Sequence, residues 1–223
     1  AVGRVDDCEI LYGHCSQKVI RSAKSLKWYC CCWAGVDHFC DESLYQNPDC
    51  RLTNSSGAYG TPISEHLIMV CLMLLRRQME YTEIIRAGGW ETLPGGIRSL
   101  HGARITVLGT GDIGTEFARR AKAMGAKDIR GVRRTKKAAD PAFDGVFSHE
   151  ELDILLPDTD ILVMALPSTA DTVGILSRDR IALLPETAYV VNVGRGTAID
   201  QSALVEALNA GKLAGAALDV FEK

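Results

Sequence analysis

The chain has 223 residues, 47% of them hydrophobic and 24% charged, with a formal net charge of −3, the composition of an ordinary globular protein of one or two domains. That balance leaves no basic footprint for nucleic acid, and the longest apolar run, the nine residues 67–75, is half of the ~18 or more that a membrane span requires. Arg4, Asp6 and Asp7 stand where a signal peptide would carry its apolar core, so a cytoplasmic protein without membrane or nucleic-acid partners is expected.

In chain order, residues 9–12 and 26–32 read as short buried strands separated by a helical stretch over 17–24, a βαβ arrangement. All eight cysteines fall within the first 71 residues. Cys30-Cys31-Cys32 sits in the second strand, where neighbouring side chains point to opposite faces and cannot converge on one ion. No C-x-x-C pair has zinc spacing, so no metal is expected, and buried free thiols are favoured over a disulfide scaffold. After a loop rich in Asn, Ser and Gly over 54–60, Thr61 and Pro62 are read as the N-cap and first residue of a strong helix. This helix is apolar nearly all round over 67–75 and calls for cover on several faces, by another domain or by a partner subunit.

The strongest signal follows. An apolar run over 105–108 feeds into Gly109-Thr110-Gly111-Asp112-Ile113-Gly114, the pattern G-x-G-x-x-G, and then into a helix with Ile113, Phe117, Ala121 and Met124 at three- or four-residue spacing and Gly125 at its end. In that context Gly109 allows the tight turn, Gly111 lets the backbone approach a pyrophosphate, and Gly114 lets the helix pack against the strand. The amides that open the helix, at Asp112 and Ile113, face the phosphates. The second strand, 128–134, runs into Arg133-Arg134-Thr135-Lys136-Lys137 with no carboxylate, which favours a 2′-phosphate and therefore NADP over NAD; the other reading is a solvated charged turn. Residues 160–167, 188–193 and 214–220 are three more strands, with a helix over 201–210 between the last two. The fold class is α/β, a doubly wound parallel sheet covered on both faces. Arg195, flanked by Gly194 and Gly196 at the end of an apolar strand, lies where such sheets bind ligands. It is either a carboxylate clamp or an ordinary loop arginine.

Taken together, Trp33-Ala34-Gly35-Val36-Asp37-His38, Ser64-Glu65-His66, the glycine turn, Leu166-Pro167-Ser168-Thr169, Asn192-Val193-Gly194-Arg195-Gly196 and residues 215–221 resemble the D-isomer-specific 2-hydroxyacid dehydrogenases. Within that family the resemblance is to the glyoxylate/hydroxypyruvate reductases that prefer NADPH. It implies a Rossmann dinucleotide-binding domain over 62–223, carrying an interdomain and dimerisation helix, and a partial flavodoxin-like substrate domain over 1–61. Arg195 matches the catalytic arginine that orients a 2-oxo acid and polarises its carbonyl. The backbone at Gly35 and Val36 matches the loop that holds the substrate carboxylate. Pro167, Val193 and Gly194 match backbone contacts to the cofactor, and Asp219 the acid near the nicotinamide carboxamide. A homodimer is implied as well.

The resemblance also implies a catalytic glutamate just past the segment matching Asp219-Val220-Phe221, a histidine in a Pro-His motif farther on, and a first strand and helix ahead of Ala1. None of His14, His38, His66, His101 and His149 matches that motif. His38 is read as a loop residue and His66 as a satisfied interior histidine. The expectation is a portion of an NAD(P)-dependent oxidoreductase that binds cofactor better than it turns over. The alternative is a non-catalytic dinucleotide sensor or corepressor of the same fold, recognised by cofactor-dependent partner binding without turnover.

Overall fold

The computed structural model describes residues 5–135 and 140–222, and the chain divides between Tyr59 and Gly60 into two compact units. In the first, β1 (Ile10–Tyr12), α1 (Gln17–Ser22), β2 (Trp28–Cys30) and β3 (Arg51–Thr53) give a three-stranded parallel sheet in the order β1-β2-β3. Ser16 starts α1 by accepting the Val19 amide at 3.4 Å, and Ile20 on that helix is buried with Leu11, Leu26, Tyr29, Phe39 and Leu44. The cysteines depart from expectation. β2 stops at Cys30, so Cys31 and Cys32 lie beyond it. All eight thiols are free, but only Cys31 and Cys71 are buried and Cys40 is exposed.

The second unit opens with α2 (Gly60–Leu75) and α3 (Gln78–Arg86), followed by β4 (Arg104–Leu108), α4 (Asp112–Ala123), β5 (Asp128–Val132), β6 (Gly145–Phe147), α5 (Leu152–Leu155), β7 (Ile161–Met164), α6 (Arg178–Leu183), β8 (Tyr189–Asn192), α7 (Gln201–Asn209) and β9 (Gly215–Leu218). All six strands are parallel, in the order β6-β5-β4-β7-β8-β9. Counted within the sheet, this is 3-2-1-4-5-6, the order of a doubly wound dinucleotide-binding fold, which reverses between β4 and β7.

Period-two alternation assigns each strand residue to one of two cores. Ile105, Val107, Ile161, Val163 and Val191 pack on the face of α2 and α4, with Leu67, Cys71, Phe117 and Ala121. Leu108, Leu162, Met164 and Val190 pack on the other face with Leu152, Ile181 and Leu204. Burial pushes the Cys71 thiol up to about 12. Across the amino ends of the strands, Asp160 accepts from the Arg104 backbone amide at 2.8 Å, from its guanidinium at 2.9 and 3.0 Å, and from Arg98 at 3.3 Å. Those bonds, Arg104 first, hold its carboxyl below the usual carboxylate range.

Two local expectations need correction. The long helix begins at Gly60, so Thr61 lies inside its first turn rather than capping it. Its buried stripe is Ser64, Leu67, Cys71 and Leu75, and Met69, 49% exposed, leaves apolar surface of the kind for which cover is expected. Met124 follows the end of α4 and is 40% exposed, outside the buried stripe of Gly114, Phe117, Ala118 and Ala121. Among the described residues no helix is long and apolar enough to cross a membrane.

Candidate dinucleotide and substrate site

The strand order reverses between β4 and β7, the place where open α/β sheets bind ligands at their carboxyl edge, and the glycine turn follows β4 there. Gly109 leaves β4 with φ +103°, a left-handed conformation open to glycine, and a Cβ there would stand 2.7 Å from the Ala165 carbonyl oxygen on the neighbouring loop. A Cβ on Gly114 would overlap the Gly109 carbonyl oxygen, so its absence seats α4 on the turn. Gly111 differs from both. It has φ −81° and ψ −162°, and no atom lies within 4 Å of where its Cβ would stand. Among the described glycines of the second unit it alone combines an ordinary φ with open space. Nothing among the described residues calls for a glycine there, whereas a ligand approaching the backbone would.

The first intrahelical bond of α4 runs from the Thr115 amide to the Gly111 oxygen at 2.9 Å. The amides of Asp112, Ile113 and Gly114 therefore have no acceptor within the helix and face outward at its positive end. The Thr110 hydroxyl oxygen beside them is buried with no hydrogen-bond partner. An open cradle at Gly111, free amides and an orphaned hydroxyl fit a dinucleotide pyrophosphate.

Beyond β5, Arg133 is half-buried, with its amide on the Phe147 oxygen at 3.0 Å, and Arg134 and Thr135 are exposed. Lys136 and Lys137 lie outside the described residues. The sequence reading found no carboxylate beside this basic run, but the fold brings one: Asp171 stands 3.9 Å from the Arg134 guanidinium. The loop after β7 exposes Pro167 and is held from below by Thr172, 4% exposed, whose hydroxyl donates to the Pro167 oxygen at 2.7 Å and accepts the Thr169 amide at 2.8 Å. Sequence reasoning missed Thr172, since a lone threonine in a polar loop carries no pattern.

At the end of β8, Val193 and Arg195 are half-buried and Gly194 is buried. A Cβ on Gly194 would come within 2.6 Å of the Leu166 oxygen, so this turn is wedged against the loop after β7. The Arg195 guanidinium donates to the Gly194 oxygen at 2.8 Å. Asp219 follows β9, with its amide on the Asn192 oxygen at 3.0 Å and its carboxylate exposed. His66 is not the interior residue expected: its ring is 39% exposed and stands 4.0 Å from the Asp219 carboxylate. The fold thus brings Gly109, Gly111, Asp112, Ile113, Gly114, Pro167, Val193, Gly194, Arg195 and Asp219 to one edge of one sheet, with Arg133, Arg134 and Thr135 at the end of a strand on the same edge.

Gly35 and Val36 belong to the first unit, between β2 and the short turn Asp37–Phe39. Asn54 donates to the Ala34 oxygen at 2.6 Å and the Ser55 amide to the Trp33 oxygen at 3.1 Å, which fixes the loop. Among the described residues neither the Gly35 nor the Val36 amide has a protein acceptor, as a backbone site for an anion requires. His38 is exposed on that turn, and His14 stacks on Trp33 at 4.3 Å. No group of three or more His, Cys, Asp or Glu among the described residues could hold a metal ion.

A parallel sheet of this order with a glycine turn at its reversal defines a dinucleotide-binding protein of the Rossmann type. Residues 68–223 match the family described as "D-isomer specific 2-hydroxyacid dehydrogenase, NAD binding domain", and the chain belongs to the D-isomer specific 2-hydroxyacid dehydrogenases. It is 32% identical over 194 residues to glyoxylate/hydroxypyruvate reductase B of Serratia proteamaculans, covering 85% of this chain and 58% of that protein. Among solved structures, a D-isomer specific 2-hydroxyacid dehydrogenase family protein from Aeromonas salmonicida matches with TM-score 0.87 and 33% identity over 98% of this chain and 69% of that one. A D-isomer specific 2-hydroxyacid dehydrogenase from Xanthobacter autotrophicus, crystallised with NADPH and MES, matches with TM-score 0.84 and 30% identity over 99% and 69%. The chain spans 58% of the length of the curated reductases from Serratia and Thermococcus onnurineus.

Proposed function

We propose that this chain carries the dinucleotide-binding domain and part of the substrate domain of an NADPH-dependent reductase of small 2-oxo acids such as glyoxylate or hydroxypyruvate. The observation that carries the reading is the sheet reversal, where an unconstrained Gly111 and free helix amides lie on the same sheet edge as Arg195. The names of the related reductases and the NADPH bound in the Xanthobacter structure support it.

In this reading the amides of Gly111, Asp112 and Ile113 bind the pyrophosphate, Arg133, Arg134 and Thr135 take the 2′-phosphate, and the backbone at Pro167, Val193 and Gly194 fixes the rest of the cofactor. NADPH, when bound, supplies the hydride that converts a 2-oxo acid to a 2-hydroxy acid. Arg195 holds the substrate and polarises its carbonyl, with a planar guanidinium suited to a carboxylate; within the first unit, the Gly35 and Val36 amides are a backbone site of the kind that takes a carboxylate. Asp219 receives the nicotinamide carboxamide. No proton donor is assigned within the chain. The working protein is read as a cytoplasmic homodimer with small-molecule partners alone.

The test is intact mass of the purified protein together with NADPH oxidation by glyoxylate and hydroxypyruvate on the same sample. Turnover that disappears in Arg195→Ala supports the reading. Cofactor-dependent capture of a protein partner without turnover of any 2-oxo acid would replace it with a sensor.

A further inference from the structure

Asn192 is among the few polar side chains buried in the second unit, at 1% exposure, and both ends of its carboxamide are engaged by the turn that carries Arg195. Its oxygen accepts the Gly194 amide at 2.9 Å and its nitrogen donates to the Arg195 carbonyl oxygen at 2.8 Å. Arg195 itself has an unstrained extended backbone, φ −140° and ψ 141°, so no local preference of its own holds it there. On either side the chain is wedged: Gly194 against the Leu166 backbone, and Gly196 against the backbone of Phe221. Those contacts limit how close the turn may come to its neighbours. The Asn192 carboxamide fixes its rotation.

We propose that Asn192 is a positioning residue for Arg195, acting through the two hydrogen bonds that clip the turn; this rests on the reading of Arg195 as the group that holds the substrate. Without the clip, the buried Gly194 amide loses its acceptor and the Arg195 carbonyl oxygen loses its shorter bond while keeping the Ala198 amide at 3.3 Å, and the turn rotates to satisfy the orphaned amide elsewhere. The Arg195 Cα moves with it, and displacements on the order of 1 Å can cost a hundredfold in productive binding and rate.

The experiment uses the full-length protein saturated with NADPH and measures the affinity of oxamate, an unreactive 2-oxo acid mimic, by titration calorimetry. Four variants are compared: Asn192→Ala, Asn192→Ser, Arg195→Lys and the double variant Asn192→Ala/Arg195→Lys. A serine hydroxyl can still accept the amide two residues on, as in the native turn, but cannot reach the Arg195 oxygen. Expected losses are ~10-fold for Asn192→Ala and an intermediate value for Asn192→Ser. The double variant should be no more than about twofold worse than Arg195→Lys alone, because both changes disable one device.

Oxamate affinity within twofold of wild type in Asn192→Ala, or losses that multiply in the double variant, would overturn the inference and leave Asn192 a structural residue. Should Asn192→Ala not fold, Asn192→Ser carries the same comparison: a measurable loss supports the clip, and wild-type affinity overturns it. Unchanged affinity in Arg195→Lys would remove the role of Arg195 itself, and the inference with it.

Discussion

Replacing Gly111 by alanine separates a ligand's demand from the chain's own. Two small opposed effects act on the folded chain. The backbone at φ −81° and ψ −162° accepts an alanine without strain, and removing glycine's unfolded-state freedom stabilises by about 0.4–1 kcal/mol. Against that, Gly111 is the N-cap of α4, where alanine is worse than glycine by about 0.5–1 kcal/mol. The added methyl meets no atom within 4 Å. The net change is within ~0.5 kcal/mol, a shift of at most about 2 °C in Tm for a chain of this size. Cofactor binding is another matter, because the methyl occupies the space through which a pyrophosphate reaches the backbone. Losing one hydrogen bond to a charged group costs roughly 1.5–3 kcal/mol, or about 10- to 150-fold in Kd. The assay is a thermal melt without cofactor beside a fluorescence titration with NADPH. An NADPH affinity within threefold of wild type would refute the argument, as would a large drop in Tm, since the position would then be under internal constraint.

Gly114→Ala reverses that pattern: its Cβ overlaps the Gly109 oxygen, so the cofactor-free melt should fall by the equivalent of at least ~1–3 kcal/mol, and an unchanged Tm would contradict the packing described. Arg133→Ala and Arg134→Ala should each weaken NADPH about tenfold and leave NADH binding unchanged, checked by parallel titrations. Asp160→Asn should be less stable than wild type at pH 7, by urea denaturation. The carboxyl is held below its usual range by Arg104, so its contribution is present above the unfolded value near ~4 and is lost as pH falls through the lower folded value. The gap between the two proteins should therefore narrow below about pH 4, and a gap that stays constant with pH would show that the charge is not what matters.

How much of this was legible in the sequence depended on whether a residue's reason is local. The glycine turn was readable because 105–108 and the periodic helix after it set its context, and βαβ alternation pointed to a parallel sheet. β3 and β6 were not readable: Arg51-Leu52-Thr53 and Gly145-Val146-Phe147 hold no fully buried residue, so neither shows the apolar run of a central strand. α3 and α6 are short. In the site, Asp171 beside Arg134 and Asp219 beside His66 are juxtapositions of residues far apart in the chain, and no spacing announces them. The buried Thr172 and the twofold role of Asn192 depend on neighbours that only the folded chain supplies.

The alternation along the sheet has a consequence for how this sequence can drift. Val107 and Leu108 are covalent neighbours, yet one belongs to the core under α2 and α4 and the other to the core under α5, α6 and α7. Volume lost at Val107 is felt by Phe117 and Leu67 and can be restored there, whereas a change at Leu108 must be answered by residues such as Leu152 or Leu204. Substitutions on opposite faces should then add in stability, even when adjacent in sequence, and those sharing a face should not. Compensating changes in related chains would fall into two sets interleaved residue by residue along the same strands, each free to vary without the other.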